Sequence, residues 1–413
     1  MKTIVIGAGP AGLMAACRAA NNNNQVIIIE HNEKAGKKLF ITGKGRCNLT
    51  NNCNEREYIS NVVSNPKFMF SAINHWNSKN TMDFFEARGC PLVVERGNRV
   101  FPESYKAYDI TDTLVSECRL KGVSFRFNED VKRIEKEDDK FKIETTKGHY
   151  LADYLVIATG GKSYPLTGST GDGYAFAESL SHTVVEPVPA LTGIRIEEEI
   201  PSRMVGFTLK CVSLNVKDGK WKHSEFGEMT FYSGYIDGPI VISTSSLINR
   251  REVGNIELEI DLKPALNEET LLNRINRDIE NKPKDFVGDL LEGLMPRSFM
   301  PFFLENTFFD VDERCNDFSR TKRLELVQAL KHFKLTYLGL NGFERAVVTS
   351  GGVSTKEINS STMESKLVPN LYFAGEVIDV DCYTGGFNIQ TALSTGALAG
   401  DKIKEKIERE QQI

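Results

Sequence analysis

Apolar and polar positions follow three different periods along the chain. A compact apolar run, Thr3–Ile6, breaks at Gly7, and alanine-rich sequence then continues through Ala20. Four successive β-branched residues closed by glycine fit a buried strand, and the continuation fits a helix packed close to it. "NNNN" at 21–24 reads as the loop to a second buried strand, "QVIIIE", which ends at Glu30. Two more such runs, "YLVIATGG" (154–161) and "LYFAGEV" (371–377), also end in glycine. "TGGFNIQTALSTGALAG" (384–400) reads as a glycine turn that opens a helix, and "TGSTGDGYAFA" (167–177) as a glycine-rich turn with a helix from near Asp172. The middle of the chain differs. Residues 190–262 carry short alternating runs such as "KCVSLNVKDGKW" and "NIELEIDL", which predict strands. From 265 to 332 the period becomes helical, in "NEETLLNRINRDIEN", "PKDFVGDLLEGL" and "SRTKRLELVQALKHF", with Ser319 as an N-cap. The aromatic cluster "FMPFFLENTFF" is expected to be core.

The first strand–turn–helix carries Gly7-x-Gly9-x-x-Gly12. Gly7 permits the tight turn, Gly9 lets the backbone approach a pyrophosphate, and Gly12 lets the helix lie close to the strand. The helix N-terminus offers N–H groups and a positive dipole end to phosphate. A GxGxxG alone is weak, but Glu30 stands 18 residues past Gly12, where a carboxylate takes the adenosine ribose hydroxyls. The unit predicts a dinucleotide site.

The later segments choose the cofactor. A strand ending in Ala158-Thr159-Gly160 and a late strand ending in Ala374-Gly375-Glu376 before a helix resemble the glutathione-reductase-like FAD superfamily. In that superfamily the late acidic residue, here Glu376, holds the flavin ribitol, and the following helix points its N-terminus at the flavin ring. No second GxGxxG follows a strand between residues 100 and 350, so no dedicated NAD(P) domain is expected. NAD(P)H enters only as a transient electron donor.

The polar, glycine-punctuated stretch "KKLFITGKGRCNLTNN" (37–52) suits neither a core strand nor a stable helix. Following Glu30, it is expected to run under the cofactor, bringing amides and short polar side chains to it. Lys37, Lys38 or Arg46 would balance pyrophosphate charge. Together with "GNRVFPESYKAYDITDTL" (97–114) and "VVTSGGVSTKEINSSTMESKLVPNLYFAGEVIDVDCYTGGFNIQTALSTGALAG", this stretch resembles the bacterial BaiN-like, aminoacetone-oxidase-type FAD-binding flavoproteins over nearly the whole chain. The resemblance implies an α/β fold: a Rossmann-type FAD-binding domain with an inserted small β-barrel and helical subdomain, and FAD held without a covalent bond. Residues 1–188 and 344–413 would form the FAD domain, 189–262 with 333–343 the β-barrel-like insert, and 263–332 the helical subdomain. Some members of the family are associated with reduction of steroid-like enones. The residues expected at the cofactor are Gly7, Gly9, Ala11, Gly12, Glu30, Lys37, Lys38, Thr42, Gly43, Arg46, Cys47, Asn48, Val131, Thr159, Gly160, Gly375, Glu376, Asp379, Gly385, Gly386, Phe387, Asn388 and Ile389. Asn48 and Asn388 are expected to hydrogen-bond polar edges of the flavin.

The sequence departs from the family at two places. The usual Thr-His-x-Gly-x-Ser-Gly-Pro reads Tyr232-Ser233-Gly234-Tyr235-Ile236-Asp237-Gly238-Pro239, which unsettles any transfer of substrate specificity. The usual Asp-Val-Asp-Gly reads Asp379-Val380-Asp381-Cys382, which puts a thiol near the expected flavin edge.

Charge and cysteines narrow the classes further. Lys and Arg number 51 against 56 Asp and Glu, for a net charge of −5, and no basic run interleaved with aromatics stands out. Nucleic acid and membrane are therefore not expected as partners; a small-molecule substrate is. The eight cysteines are scattered without a Cys-x-x-Cys, which predicts free thiols, no metal and a cytoplasmic setting. The apolar N-terminus before Cys17 mimics a lipoprotein signal, but Gly7, Gly9 and Pro10 interrupt it. The function expected is an FAD-dependent oxidoreductase; the alternatives are a flavin-binding regulator without turnover and an RNA-modifying flavoenzyme. No acid, base or nucleophile is identifiable. Cys47 is read as a packing residue ahead of a reactive thiol.

Overall fold

The four buried-type runs pair in one parallel sheet with a fifth strand, Ser124–Arg126. In the computed structural model, which describes residues 1–411, the order is Leu371–Phe373, Tyr154–Ile157, Lys2–Ile6, Gln25–Ile29, Ser124–Arg126. Ile6 lies opposite both Ile157 and Ile29. Covering on both faces explains why these strands read as unbroken apolar runs. Because every pair is parallel, the glycine motifs that follow the strands emerge at one edge. The strand order turns back on either side of Lys2–Ile6, which is the switch point where open α/β sheets bind ligands.

Two helices share a glycine seam. The first helix, Pro10–Ala19, packs against the last, Phe387–Glu410, and both are almost wholly buried at the contact. A Cβ on Gly396 would stand 2.4 Å from Ala11 O, and one on Gly400 would stand 2.4 Å from Ala15 O. Residue numbers rise together along the seam, so the helices run parallel. Gly396 stands nine residues after Phe387 and Ala11 one residue after Pro10, so the last helix starts eight residues, or about 12 Å, beyond the first.

The chain divides into two units: residues 1–190 with 343 onward, and Leu191–Gly342. The first unit adds small antiparallel sheets, including Leu92–Glu95, Arg99–Pro102 and Thr50–Asn51. In it Val184–Ala190 pairs antiparallel with Val348–Val353, with Ala190 opposite Val348. A buried histidine, His182, is fixed in one tautomer: its Nδ1 donates to Leu180 O at 3.0 Å, and Nε2 accepts from Ser365 Oγ at 2.8 Å. That assignment follows because Ser365 Oγ also accepts from the Leu367 and Val368 amides.

The second unit is a seven-stranded antiparallel sheet in the order Phe333–Leu335, Ile256–Asp261, Thr208–Asp218, Trp221–Tyr232, Tyr235–Asp237, Ile194–Ile196, Tyr337–Leu340. Its two edge strands are separated by Thr336 alone, so the chain steps from one edge to the other and the sheet must curl towards a barrel. Helices Glu268–Asn281, Val287–Leu294, Met300–Thr307 and Arg320–Lys331 lie between its strands in sequence. Ser319 caps the last of these, accepting from Lys322 N. Phe299, Phe302 and Phe303 are fully buried around Phe333, so the aromatic cluster is core. One reading needs correction: within the stretch expected to be strands, Pro239–Ile248 is a helix. Its β-branched residues favour strand, but Gly238 at φ 108° and Pro239 at the first helical position start a helix that buries Ile240, Val241 and Ile248. Its Ser245 and Ser246 hydroxyls accept from the Thr192 and Leu191 amides, and Asn341 N donates to Gly193 O, where the chain enters and leaves this unit.

Gly400→Val is expected to cost about 1–3 kcal/mol or more, because the new Cβ meets backbone that cannot move aside. Gly293→Ala, in helix Val287–Leu294 with nothing within 4 Å of the added carbon, should gain about 0.5 kcal/mol. Denaturant unfolding of the two purified variants measures both; equal stabilities would refute the seam.

Candidate cofactor site

At the shared edge of the parallel sheet the first turn has one open side. A Cβ on Gly7, at φ 100°, would sit 2.5 Å from Ala158 O, and one on Gly12 would sit 2.0 Å from Gly7 O. A Cβ on Gly9 would meet nothing within 4 Å. So Gly7 and Gly12 are required by the fold itself, whereas Gly9 keeps free a space that no protein atom occupies. No side chain caps the first helix, and its first internal bond runs from Leu13 N to Gly9 O. The amides of Ala11 and Gly12 precede that bond and have no partner in the helix. A cradle that only a Cβ would fill, at an uncapped positive helix end, fits a pyrophosphate.

Glu30 closes one end of this cradle. Its carboxylate accepts from Ala8 N at 2.7 Å and from Asn32 N and Nδ2 at 2.9 and 2.8 Å. Asn32 in turn accepts from Lys37 Nζ at 3.1 Å and donates to Thr167 O at 3.2 Å. The amides of Glu129 and Asn128 donate to Glu30 O and Asn32 O, so the segment leading to Val131 runs beside them. Asn32 and the 165–168 loop were missed in the sequence because single polar loop residues carry no periodic signal.

Glu376 ties three segments together at the other end. It accepts from Thr349 N at 2.8 Å, Ser163 Oγ at 2.9 Å and Lys38 Nζ at 2.7 Å. Thr349 Oγ1 accepts from the Lys162 and Ser163 amides, so the turn after Gly160 is held as well. The Thr159 hydroxyl is buried against Gly173 and has no hydrogen-bond partner. Asp379 accepts from Asn65 Nδ2 at 2.9 Å.

The opening loop is stitched to the start of the last helix. Gly43, Lys44, Gly45 and Cys47 all have positive φ, which is costly at Lys44 and Cys47 and marks backbone held in place by its surroundings. Thr42 Oγ1 donates to Leu39 O at 2.7 Å. The Asn48 amide, oriented to satisfy both ends, accepts from Gly386 N at 3.0 Å and donates to Thr50 O at 3.2 Å. Thr50 Oγ1 donates to Gln390 Oε1 at 2.7 Å, and Asn51 Nδ2 donates to Gly385 O at 3.1 Å. A Cβ on Gly386 would lie 2.4 Å from Thr50 backbone atoms. The last helix has no side-chain cap, so the amides of Phe387, Asn388 and Ile389 face outward from its N-terminus.

Several expected contacts are drawn differently. Each of the three cations offered for the pyrophosphate has a partner within the protein: Lys37 meets Asn32 and Glu33, Lys38 meets Glu376, and Arg46 meets Glu95. Of these carboxylates, Glu95 is the one that the sequence does not bring near its cation. Asn388's side chain does not reach outward; it accepts from Cys382 N and donates to Cys382 O and Tyr383 O. Cys382 lies in the core against Thr391 Oγ1 at 3.3 Å rather than at an accessible edge. Burial pushes the thiols of Cys47 and Cys382 up to about 12, so neither is a thiolate at neutral pH.

A family model described as the HI0933-like protein Rossmann domain matches residues 1–402. The chain belongs to the HI0933-like family. It is 29% identical over 406 residues to the 3-dehydro-bile acid delta(4,6)-reductase of Clostridium scindens, covering 97% of this chain and 98% of that protein. It is 31% identical over 401 residues to the ribosomal RNA dihydrouridine synthase of Haemophilus influenzae, covering 95% and 96%. Among solved structures, the 3-ketosteroid-delta4-(5alpha)-dehydrogenase of Rhodococcus jostii has the same fold, at TM-score 0.52 and 12% identity, covering 97% of this chain and 96% of that one. This HI0933-like chain is an FAD-dependent oxidoreductase with a mixed α/β, Rossmann-type fold. Among the described residues no helix is long and apolar enough to cross a membrane, and no group of three or more His, Cys, Asp or Glu could hold a metal ion.

Gly9→Val and Gly12→Val should separate binding from folding. Gly9→Val is expected to fold and purify without flavin, since its side chain enters only the open cradle; Gly12→Val should fail to fold. Full flavin content in a folded Gly9→Val protein would refute the cradle.

Acid precipitation is expected to leave a colourless pellet and FAD in the supernatant. In the native protein a thiol reagent should reach exposed Cys211 first and the buried Cys47 and Cys382 only on unfolding. Colour retained on the pellet would show a covalent bond to the ring.

Proposed function

We propose that this protein is an FAD-dependent reductase of a carbon–carbon double bond conjugated to a carbonyl, with NAD(P)H as a transient electron donor. The observation that carries the reading is the pair of relatives matched over almost their whole lengths. A bile acid delta(4,6)-reductase and a dihydrouridine synthase have different substrates, yet both names describe hydrogen added to such a bond. When bound, FAD supplies the hydride. The protein's part is to hold and orient. The Ala11 and Gly12 amides take the pyrophosphate, Glu30 takes the adenosine ribose, and the start of the last helix faces the ring. The remaining cofactor residues read from the sequence belong to this proposal. Lys38, Ser163 and Thr349 act through Glu376, fixing where its carboxylate lies towards the ribitol. Free cysteines favour a reducing, cytoplasmic setting.

Two measurements test this. With no nicotinamide domain of its own, NADPH or NADH should reduce the flavin slowly and with weak saturation; fast reduction saturating at low donor concentration would overturn the donor assignment. Anaerobically reduced protein should then be reoxidised by conjugated enones or uridine-containing substrates, and not by isolated alkenes. Reoxidation by quinones or oxygen alone would overturn the reductase reading.

A further inference from the structure

Cations that are far apart in the sequence gather on one face of the first unit. The hairpin Leu92–Glu95/Arg99–Pro102 stands beside the opening loop: a Cβ on Gly43 would lie 3.6 Å from the Phe101 ring, and Asn51 Nδ2 donates to both Gly97 O, at the hairpin tip, and Gly385 O, before the last helix. The guanidinium carbons of Arg46 and Arg99 lie 4.6 and 5.6 Å from the centre of the same Phe101 ring, and Arg46 lies 5.5 Å from that of Tyr105. Both guanidiniums share one carboxylate, Glu95, at 3.2 and 3.3 Å. Two positive charges against one negative leave an excess that stacking holds in place. Lys44, Arg96 and Lys106 are exposed around it. Tyr105 is 40% exposed and strained at φ 55°, and Tyr108 is 58% exposed.

We propose that this cation–aromatic face binds the phosphodiester backbone of a single-stranded RNA segment next to the cofactor site. Gathering like charges costs Coulomb energy that an anionic partner recovers. Guanidiniums held over a ring present their donors to phosphate with less left to order. Exposed tyrosines among the cations offer surfaces on which unpaired bases stack, which a phosphate headgroup or a free anion does not use. Glu103 and Asp109 also lie beside Tyr105, so the five cations Lys44, Arg46, Arg96, Arg99 and Lys106 exceed the carboxylates Glu95, Glu103 and Asp109 by two, against a net charge of −5 for the whole chain. The inference deepens the reductase reading and rests on it for one point, that a uridine is the base to be reduced.

The test uses the oxidised, flavin-loaded full chain, so it does not depend on turnover. Binding of a short fluorescent single-stranded uridine-rich RNA is followed by anisotropy against salt. Engagement of four or five cations predicts a log–log salt slope of about −3. The double variant Arg96→Ala/Lys106→Ala should bind about tenfold more weakly or worse, with the slope reduced by about 1.4. Its flavin content and unfolding midpoint should stay at the wild-type values, since both residues are exposed. No RNA binding at low salt, an unchanged slope in the variant, or binding to anionic phospholipid vesicles but not to RNA overturns the proposal. If RNA binds with the predicted slope but reduced flavin is not reoxidised by any conjugated acceptor, the face stands and the reductase reading falls. If enones reoxidise the flavin and RNA does not bind, the reverse holds.

Discussion

The contact between the first and last helices sets the geometry of the cofactor site. Both are helices whose N-terminal amides are left open, and both are drawn together until backbone touches backbone at Gly396 and Gly400. Gly375 completes the seam, since a Cβ there would lie 2.7 Å from the Ala11 methyl. Parallel alignment and an offset of about 12 Å give two positive helix ends at different heights along one direction. An extended dinucleotide needs that arrangement: one end for its pyrophosphate and another for its ring. Larger residues in the seam would push the helices apart and lose the register between the two ends.

The site relies on fixed partial charges more than on titrating groups. The first amides of both helices have no side-chain cap, and the two carboxylates, Glu30 and Glu376, are already tied to protein donors. Such carboxylates are held in place before any ligand arrives, so little ordering remains for binding to impose. The thiols that sequence made tempting are buried and protonated at neutral pH. Electron chemistry is thus left to the cofactor, with the chain supplying shape and orientation.

Legibility followed the range of the physics involved. Gly7, Gly12 and Gly386 were readable because a tight turn or close approach excludes other residues, a local rule. The parallel sheet was readable from unbroken apolar runs. What could not be read depended on partners brought from far away. Arg46 meets Glu95 only because a hairpin folds beside the loop, and Asn388 turns inward because residues 382–383 return to it. The helix Pro239–Ile248 defeated the pattern because its residues favour strands, and a Gly-Pro start overrode them. The basic face is spread over residues 44–106, so no window of sequence displays it.

The insert has ends that lie side by side. Ala190 and Val348 are paired across two strands of the first unit, and inside the second unit Gly193 and Asn341 are joined by a backbone bond. Leu191–Gly342 therefore leaves and rejoins the first unit at adjacent points. A segment so attached can be lengthened, replaced or exchanged between genes while the glycine turns and the helix seam stay intact. In evolutionary terms, the core and the segment that interrupts it are free to diverge at different rates.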